Sequence, residues 1–244
     1  MNLAEATWTD ADDLQTDLAM LPVGSTEQHG PHDPLGTDAL TARAVAEAAA
    51  DSYEGDVAVA PVVPIGVSEE HRQFTGTLWV SPDTFRAYVR ETIQSLHAHG
   101  WNRIVIVNGH GGNAPAIGEV AARLSREDER LVVPFTWFDA VETDLDMGHA
   151  GPVETSLLLH THPELVAADR LEAAADGAAD RWGEWVSGTN LAHDSAAFTE
   201  NGTVGDPTQA SAEQGERLLN EAAAALHTLL DALRDRDLDS FPHR

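Results

Sequence analysis

The sequence contains no cysteine and no lysine, and its 14 bases, all arginine, face 41 acids. Each absence excludes something. Without cysteine there is neither a disulfide nor a thiolate nucleophile, so any metal must be held by His, Asp and Glu. A formal net charge of −27 repels phosphates, which argues against nucleic acid or an anionic membrane as a partner. No stretch approaches the ~20 uninterrupted apolar residues of a membrane span. The opening MNLAEATWTDADDL lacks a basic segment followed by an apolar run, so a cytoplasmic protein is expected. The acids run along the whole chain rather than forming a tail, which points to a salt-rich cytosol where screening suppresses self-repulsion.

What is present is a repeated order of apolar run, loop and helix. LAMLPVG (18–24), DVAVAPVVPIG (56–66), RIVIV (103–107) and LVVPFTW (131–137) read as buried strands. Helices are expected over 39–50, capped by Thr37 or Asp38, and over 81–100, with Ser81 as N-cap, Pro82 at the first helical position and Gly100 as the stop. Further helices are expected over 114–124, 154–162 and 209–235, and a long loop over 186–208. Strands apolar throughout and alternating with helices predict a single α/β domain over 1–244, its mostly parallel sheet covered on both faces. Sites in such sheets form outside the carboxyl ends of the strands. The segments after the first and third strands would therefore reach one rim.

Those two segments carry the chemistry. GSTEQHGPHDPLGTD (24–38) holds Glu27, His29, His32, Asp33 and Asp38. Glu27 and His29, two apart, point to one side of extended backbone, with Gln28 on the other. Asp38 opens the next helix, where the dipole keeps a carboxylate ionised. Alone, each residue reads more readily as a helix cap or a solvated loop side chain than as a ligand; together they read as metal ligands. NGHGGN (108–113) adds His110 among Gly109, Gly111 and Gly112, which permit a tight turn and close approach. A phosphate-cradling loop is the alternative there, but it lacks both dinucleotide spacing and a lysine. GHAGPVETS (148–156) supplies His149 and Glu154, alternatively a capping acid beside an incidental histidine. His160 and His162 read as structural or surface residues. Two divalent cations would be offset by Glu27, Asp38, Glu154 and one hydroxide, more carboxylates than a lone structural zinc needs. Asp38 is the natural bridge, because one carboxylate can serve two metals.

These three motifs, in this order over roughly residues 20 to 160, resemble the signatures of the creatininase family of metal-dependent amidohydrolases. The resemblance implies a three-layer α/β/α sandwich that forms a homo-oligomer, a dimer or hexamer, around two divalent ions of zinc, iron or manganese. It implies that Glu27 and His29 bind different metals, that Asp38 bridges them and that His110 completes one shell. Glu154 would be a further ligand or a proton carrier, with His149 assisting proton transfer. GVSEEHRQFTGT (66–77) resembles a substrate-facing loop, with Ser68 and His71 as candidate contacts. True creatinine hydrolases carry Tyr-Glu where this chain has Gly111 and Gly112. Asp33 stands where an apolar residue is usual and is assigned to the acidic surface.

The glycine form resembles the branch that deformylates a ribosylaminopyrimidine phosphate in archaeal flavin and deazaflavin synthesis, and also the branch that trims a peptide in mycofactocin maturation. The expected activity is hydrolysis of a non-peptide C–N amide bond in a small molecule, most of all that formamide, by a metal-activated water. Creatinine hydrolysis and peptide trimming are the alternatives within the family. A metal-binding assembly protein on the same fold is the non-enzymatic one.

Overall fold

Along the two central strands every side chain but that of Arg103 is buried, and successive ones feed opposite faces of one sheet. The computed structural model describes residues 1–126 and 130–238; the remainder of the domain expected over 1–244, residues 127–129 and 239–244, lies outside the described residues. Strands β1 (Leu18–Val23), β2 (Ala58–Val59), β3 (Arg103–Asn108) and β4 (Leu131–Thr136) lie in the order β2-β1-β3-β4. All three pairings are parallel. The helices are α1 (Trp8–Asp12), α2 (Thr37–Ser52), α3 (Pro82–Ala98), α4 (Ala114–Leu124), α5 (Pro152–Thr161), α6 (Leu171–Asp176) and α7 (Ala212–Arg234).

Leu18, Met20, Val105 and Val107 face the layer made by α2, α5 and α7, where Val45, Leu157, Leu218 and Leu226 complete the packing. Ala19, Leu21, Ile104 and Ile106 face α3 and α4, meeting Phe85, Ile93, Ile117 and Leu124. This is the expected α/β/α sandwich. Among the described residues no helix is long and apolar enough to cross a membrane.

The second strand is much shorter than the expected 56–66. Pro61 and Pro64 lack the N–H that a ladder requires, so β2 ends at Val59, with the Ala60 N–H donating to the Met20 carbonyl, and the chain meets β1 again through Val63. Pro22 is tolerated within β1 because its carbonyl accepts from Val63 N–H at 3.0 Å. Its missing donor therefore falls beyond the end of β2. Helix α3 starts as expected, with Ser81 accepting from Thr84 N–H and Pro82 in the first turn. Helix α2 does not: Gly36 is its N-cap, and neither Thr37 nor Asp38 caps it. The region 186–208 is mostly irregular but includes part of a small hairpin, β5 (Trp185–Val186) with β6 (Thr189–Asn190).

Register places the site. Val23 pairs with Asn108, so β1 and β3 end level and the segments 24–38 and 108–113 leave from one rim.

Candidate metal centre

At that rim Glu27, His29, Asp38, His110, His149 and Glu154 are all buried. Close approach of the two segments depends on Gly109, since a Cβ there would run into the Asp38 backbone carbonyl. Asp38 stands at the centre. Its Oδ1 is 3.0 Å from His29 Nε2, and its Oδ2 is 3.2 Å from His110 Nδ1. His29 Nε2 also lies 3.8 Å from Glu154 Oε1, and His110 Nε2 is 3.3 Å from Glu27 Oε2.

Hydrogen bonds fix which ring nitrogens are free. His29 Nδ1 lies 3.2 Å from the Glu27 carbonyl, His110 Nε2 2.7 Å from the Val67 carbonyl, and His149 Nε2 2.8 Å from the Gln28 carbonyl. A carbonyl only accepts, so each of these nitrogens carries the proton. The opposite nitrogen of each neutral ring is then a lone pair aimed at carboxylate oxygens: His29 at Asp38 and Glu154, His110 at Asp38, and His149 at Glu27 Oε1, 3.8 Å away. Lone pairs facing anions are stable only with positive charge between them.

The buried atoms Glu27 Oε1, Glu27 Oε2, His29 Nε2 and Asp38 Oδ2 have no hydrogen-bond partner. Four such orphans in one cluster would be costly in an ordinary core. Donor atoms converge in three overlapping groups: Glu27, Asp38 and His110; His29, His149 and Glu154; and Glu27, His71 and His149. A donor set of carboxylate oxygens and imidazole nitrogens, several of them orphaned, fits hard or borderline divalent cations.

Titration follows the same geometry. Burial opposes charge on His110, but Glu27 and Asp38 outweigh it and push the ring up to about 10. Burial likewise opposes charge on His29, yet Asp38 and Glu154 raise it well above the usual histidine range. Burial works against the Asp38 anion, while His29 and His110 hold its carboxyl below the ordinary range. Glu27 and Glu154 are raised by burial. His149 is pushed far down, first by burial and then by His29 and His71. In the metal-free chain, protons on His29 and His110 take the place of cations.

A cavity of about 380 Å³ opens over this cluster. Asp38, Glu70, His71, His110, His149 and Glu154 form its polar side, and Pro115, Phe138, Met147 and Trp182 its apolar wall. His71 reaches to 3.3 Å from Glu27 Oε1 and stacks on His149 with ring centroids 4.4 Å apart. Ser68 does not line the cavity; it is fully buried, and its hydroxyl accepts from Ser25 Oγ at 2.8 Å. Asp33 is not a surface acid either. It is buried and accepts from Thr155 Oγ1 at 2.7 Å, tying the His29 segment to the helix that carries Glu154. His160 and His162 lie outside the centre.

Three contributors carry no motif signal. Gln28 turns from Glu27 and His29, as alternation predicts, and its amide nitrogen lies 2.8 Å from His71 Nδ1 and 3.1 Å from the Gly202 carbonyl. Val204 exchanges backbone hydrogen bonds with His149, so the 177–206 segment closes the cavity's side. Trp182, from the same segment, sets its edge against His71 and His149, at centroid distances of 5.4 and 5.8 Å.

A parallel-sheet sandwich with carboxylate and imidazole groups that could hold cations at its carboxyl rim has the architecture of a metal-dependent α/β hydrolase. Residues 4–230 match the family model described as creatininase, creatinine amidohydrolase, and the chain belongs to the creatininase family. It is 39% identical over 210 residues to the mycofactocin precursor peptide peptidase of Mycolicibacterium smegmatis, covering 84% of this chain and 80% of that protein. It is 28% identical over 242 residues to the creatinine amidohydrolase of Pseudomonas putida, covering 89% of each. A crystal structure of creatinine amidohydrolase superposes with a TM-score of 0.80 at 25% identity, covering 97% of this chain and 98% of that one. Related structures include one described as creatininase Mn (TM-score 0.78, 27% identity, 99% of both chains). Another is a creatininase described as Zn-Zn type (TM-score 0.76, 26% identity, 99% and 98%).

Proposed function

We propose that this amidohydrolase works with two divalent cations, zinc, iron or manganese, and cleaves the C–N bond of an unphosphorylated, peptide-like amide. One observation carries the reading: four orphaned buried atoms lie among three overlapping groups of converging donors beneath an open cavity. Glu27, Asp38 and His110 would hold one cation and His29, Asp38 and Glu154 the other, with Asp38 shared. Such cations lower the pKa of water and polarise a carbonyl oxygen.

The chain supplies the rest. Glu154 Oε2 accepts from Ala150 N–H at 2.7 Å, which leaves Oε1 turned toward His29 and suits Glu154 to a ligand's role. His149 is neutral, with its Nε2–H committed to the Gln28 carbonyl. Its Nδ1 therefore takes the proton of the attacking water and returns it to the departing nitrogen as the C–N bond breaks. His71 lines the substrate's side of the cavity.

The formamide of a ribosylaminopyrimidine phosphate, expected from the glycine-type second motif, takes second place. No arginine lines the cavity among the described residues, so a phosphate ester would have no guanidinium to pair with and would face Glu70 and Glu154. The similarity to a mycofactocin precursor peptide peptidase supports a peptide-like amide instead. Exposed Leu78, Trp79, Trp185, Val186 and Leu191 support a homo-oligomer, and the acidic composition supports a cytosolic, salt-rich setting. Purified protein loaded with manganese or zinc, assayed against short peptides, the formamidopyrimidine phosphate and creatinine, tests the reading. Cleavage of the peptides foremost is expected; exclusive cleavage of the phosphorylated formamide overturns it.

A further inference from the structure

Gly112 is glycine because the space beside its Cα is already taken. A Cβ there would collide with His110 Nε2 and the Val67 carbonyl, and would stand 2.9 Å from Glu70 Oε1. The Glu70 carboxylate comes from the short 3-10 turn Glu69–His71 and rests against the glycine turn that follows β3. It lines the cavity, and its Oε1 lies 4.0 Å from His110 Nε2, whose N–H is committed to Val67.

Glu70 differs from the other acids of the cavity. It belongs to none of the three groups of converging donor atoms. Its neighbour Arg72 is turned away, 2.7 Å from Asp194. No arginine lines the cavity among the described residues, and the opposing wall is Pro115, Phe138, Met147 and Trp182. His110 must be neutral to hold a cation, which leaves the Glu70 carboxylate, beside apolar residues and next to the reacting centre, complementary to a positive group that arrives on the ligand.

We propose that Glu70 anchors a protonated amino group of the substrate, so that amides carrying a free ammonium beside an apolar side chain are preferred over the same amides with the amine blocked. This deepens the amidohydrolase reading and rests on it. No bond is made or broken at Glu70; it recognises charge.

The test compares L-phenylalaninamide with N-acetyl-L-phenylalaninamide on the metal-loaded wild type, Glu70→Gln and Glu70→Asp, by calorimetric binding, steady-state kinetics and metal analysis. The wild type is expected to bind the free amine roughly tenfold or more tightly than the acetylated compound. Glu70→Gln abolishes that preference by raising KM for the free amine, leaving kcat, the acetylated compound and bound metal unchanged. Glu70→Asp, which keeps the charge, retains part of the preference. Equal affinity of the wild type for both probes, or binding of neither, overturns the proposal. So does loss of metal in Glu70→Gln, which would make it a ligand, or an equal fall in kcat for both probes, which would make it a proton carrier. If both bind and neither is hydrolysed, the amidohydrolase reading suffers while the affinity ratio still decides the role of Glu70.

Discussion

Asp38 holds the centre together, because its two oxygens face imidazoles that belong to different donor groups. Asp38→Ala is expected to lose metal and activity together. Metal analysis should fall well short of the wild-type content, and turnover should drop by on the order of 10³-fold, as several kcal/mol of electrostatic stabilisation disappear. His149→Ala should behave differently: metal content stays, and kcat falls by about 10²–10⁴-fold with the lost proton transfer. Loss of metal in that variant would move His149 into the ligand shell.

Proton linkage adds a further expectation at this scale. Binding a cation requires neutral His110, whose ring holds its proton up to about 10 in the metal-free chain. Raising pH toward that value removes the competing proton, so affinity should rise with pH, by about tenfold per unit for each proton released. Calorimetry in buffers of different ionisation enthalpy should show protons leaving on binding. An affinity independent of pH would contradict it.

At the scale of elements, legibility depended on how local the cause was. Helix α3 could be read from Ser81, Pro82 and Gly100, and β3 from its apolar run, because caps and periodicity lie within the segment itself. Strand β2 is shorter than its apolar run because Pro61 and Pro64 interrupt the ladder. Helices α1 and α6, at five and six residues, are too short to show a period. Glu27, His29, Asp38, His110, His149 and Glu154 stood out as motif residues, and the structure brings them together. Gln28, Glu70 and Trp182 did not, since their roles arise from contacts between distant segments; the burial of Ser68 and Asp33 is likewise not legible in a turn-rich loop. The meeting of β3 with α2 is the sharpest such contact. Gly109→Ala should press on the Asp38 carbonyl and cost about 1–3 kcal/mol. The variant should show a lower Tm and weaker metal binding, and an unchanged Tm would mean the backbone yields freely there.

For the whole molecule, the excess of 41 acids over 14 bases dominates behaviour in solution. Self-repulsion at low ionic strength should lower Tm by several degrees relative to molar salt, as measured by differential scanning calorimetry. A Tm insensitive to salt would remove the halophilic reading. The donor atoms come from positions as far apart as 27 and 154, delivered by segments that meet only once β1, β3 and α5 are docked. A chain still emerging from the ribosome therefore offers an ion only half a grip. The donors of His149 and Glu154 join only when α5 docks, so a product truncated before His149 would keep, of the six motif residues, Glu27, His29, Asp38 and His110 alone.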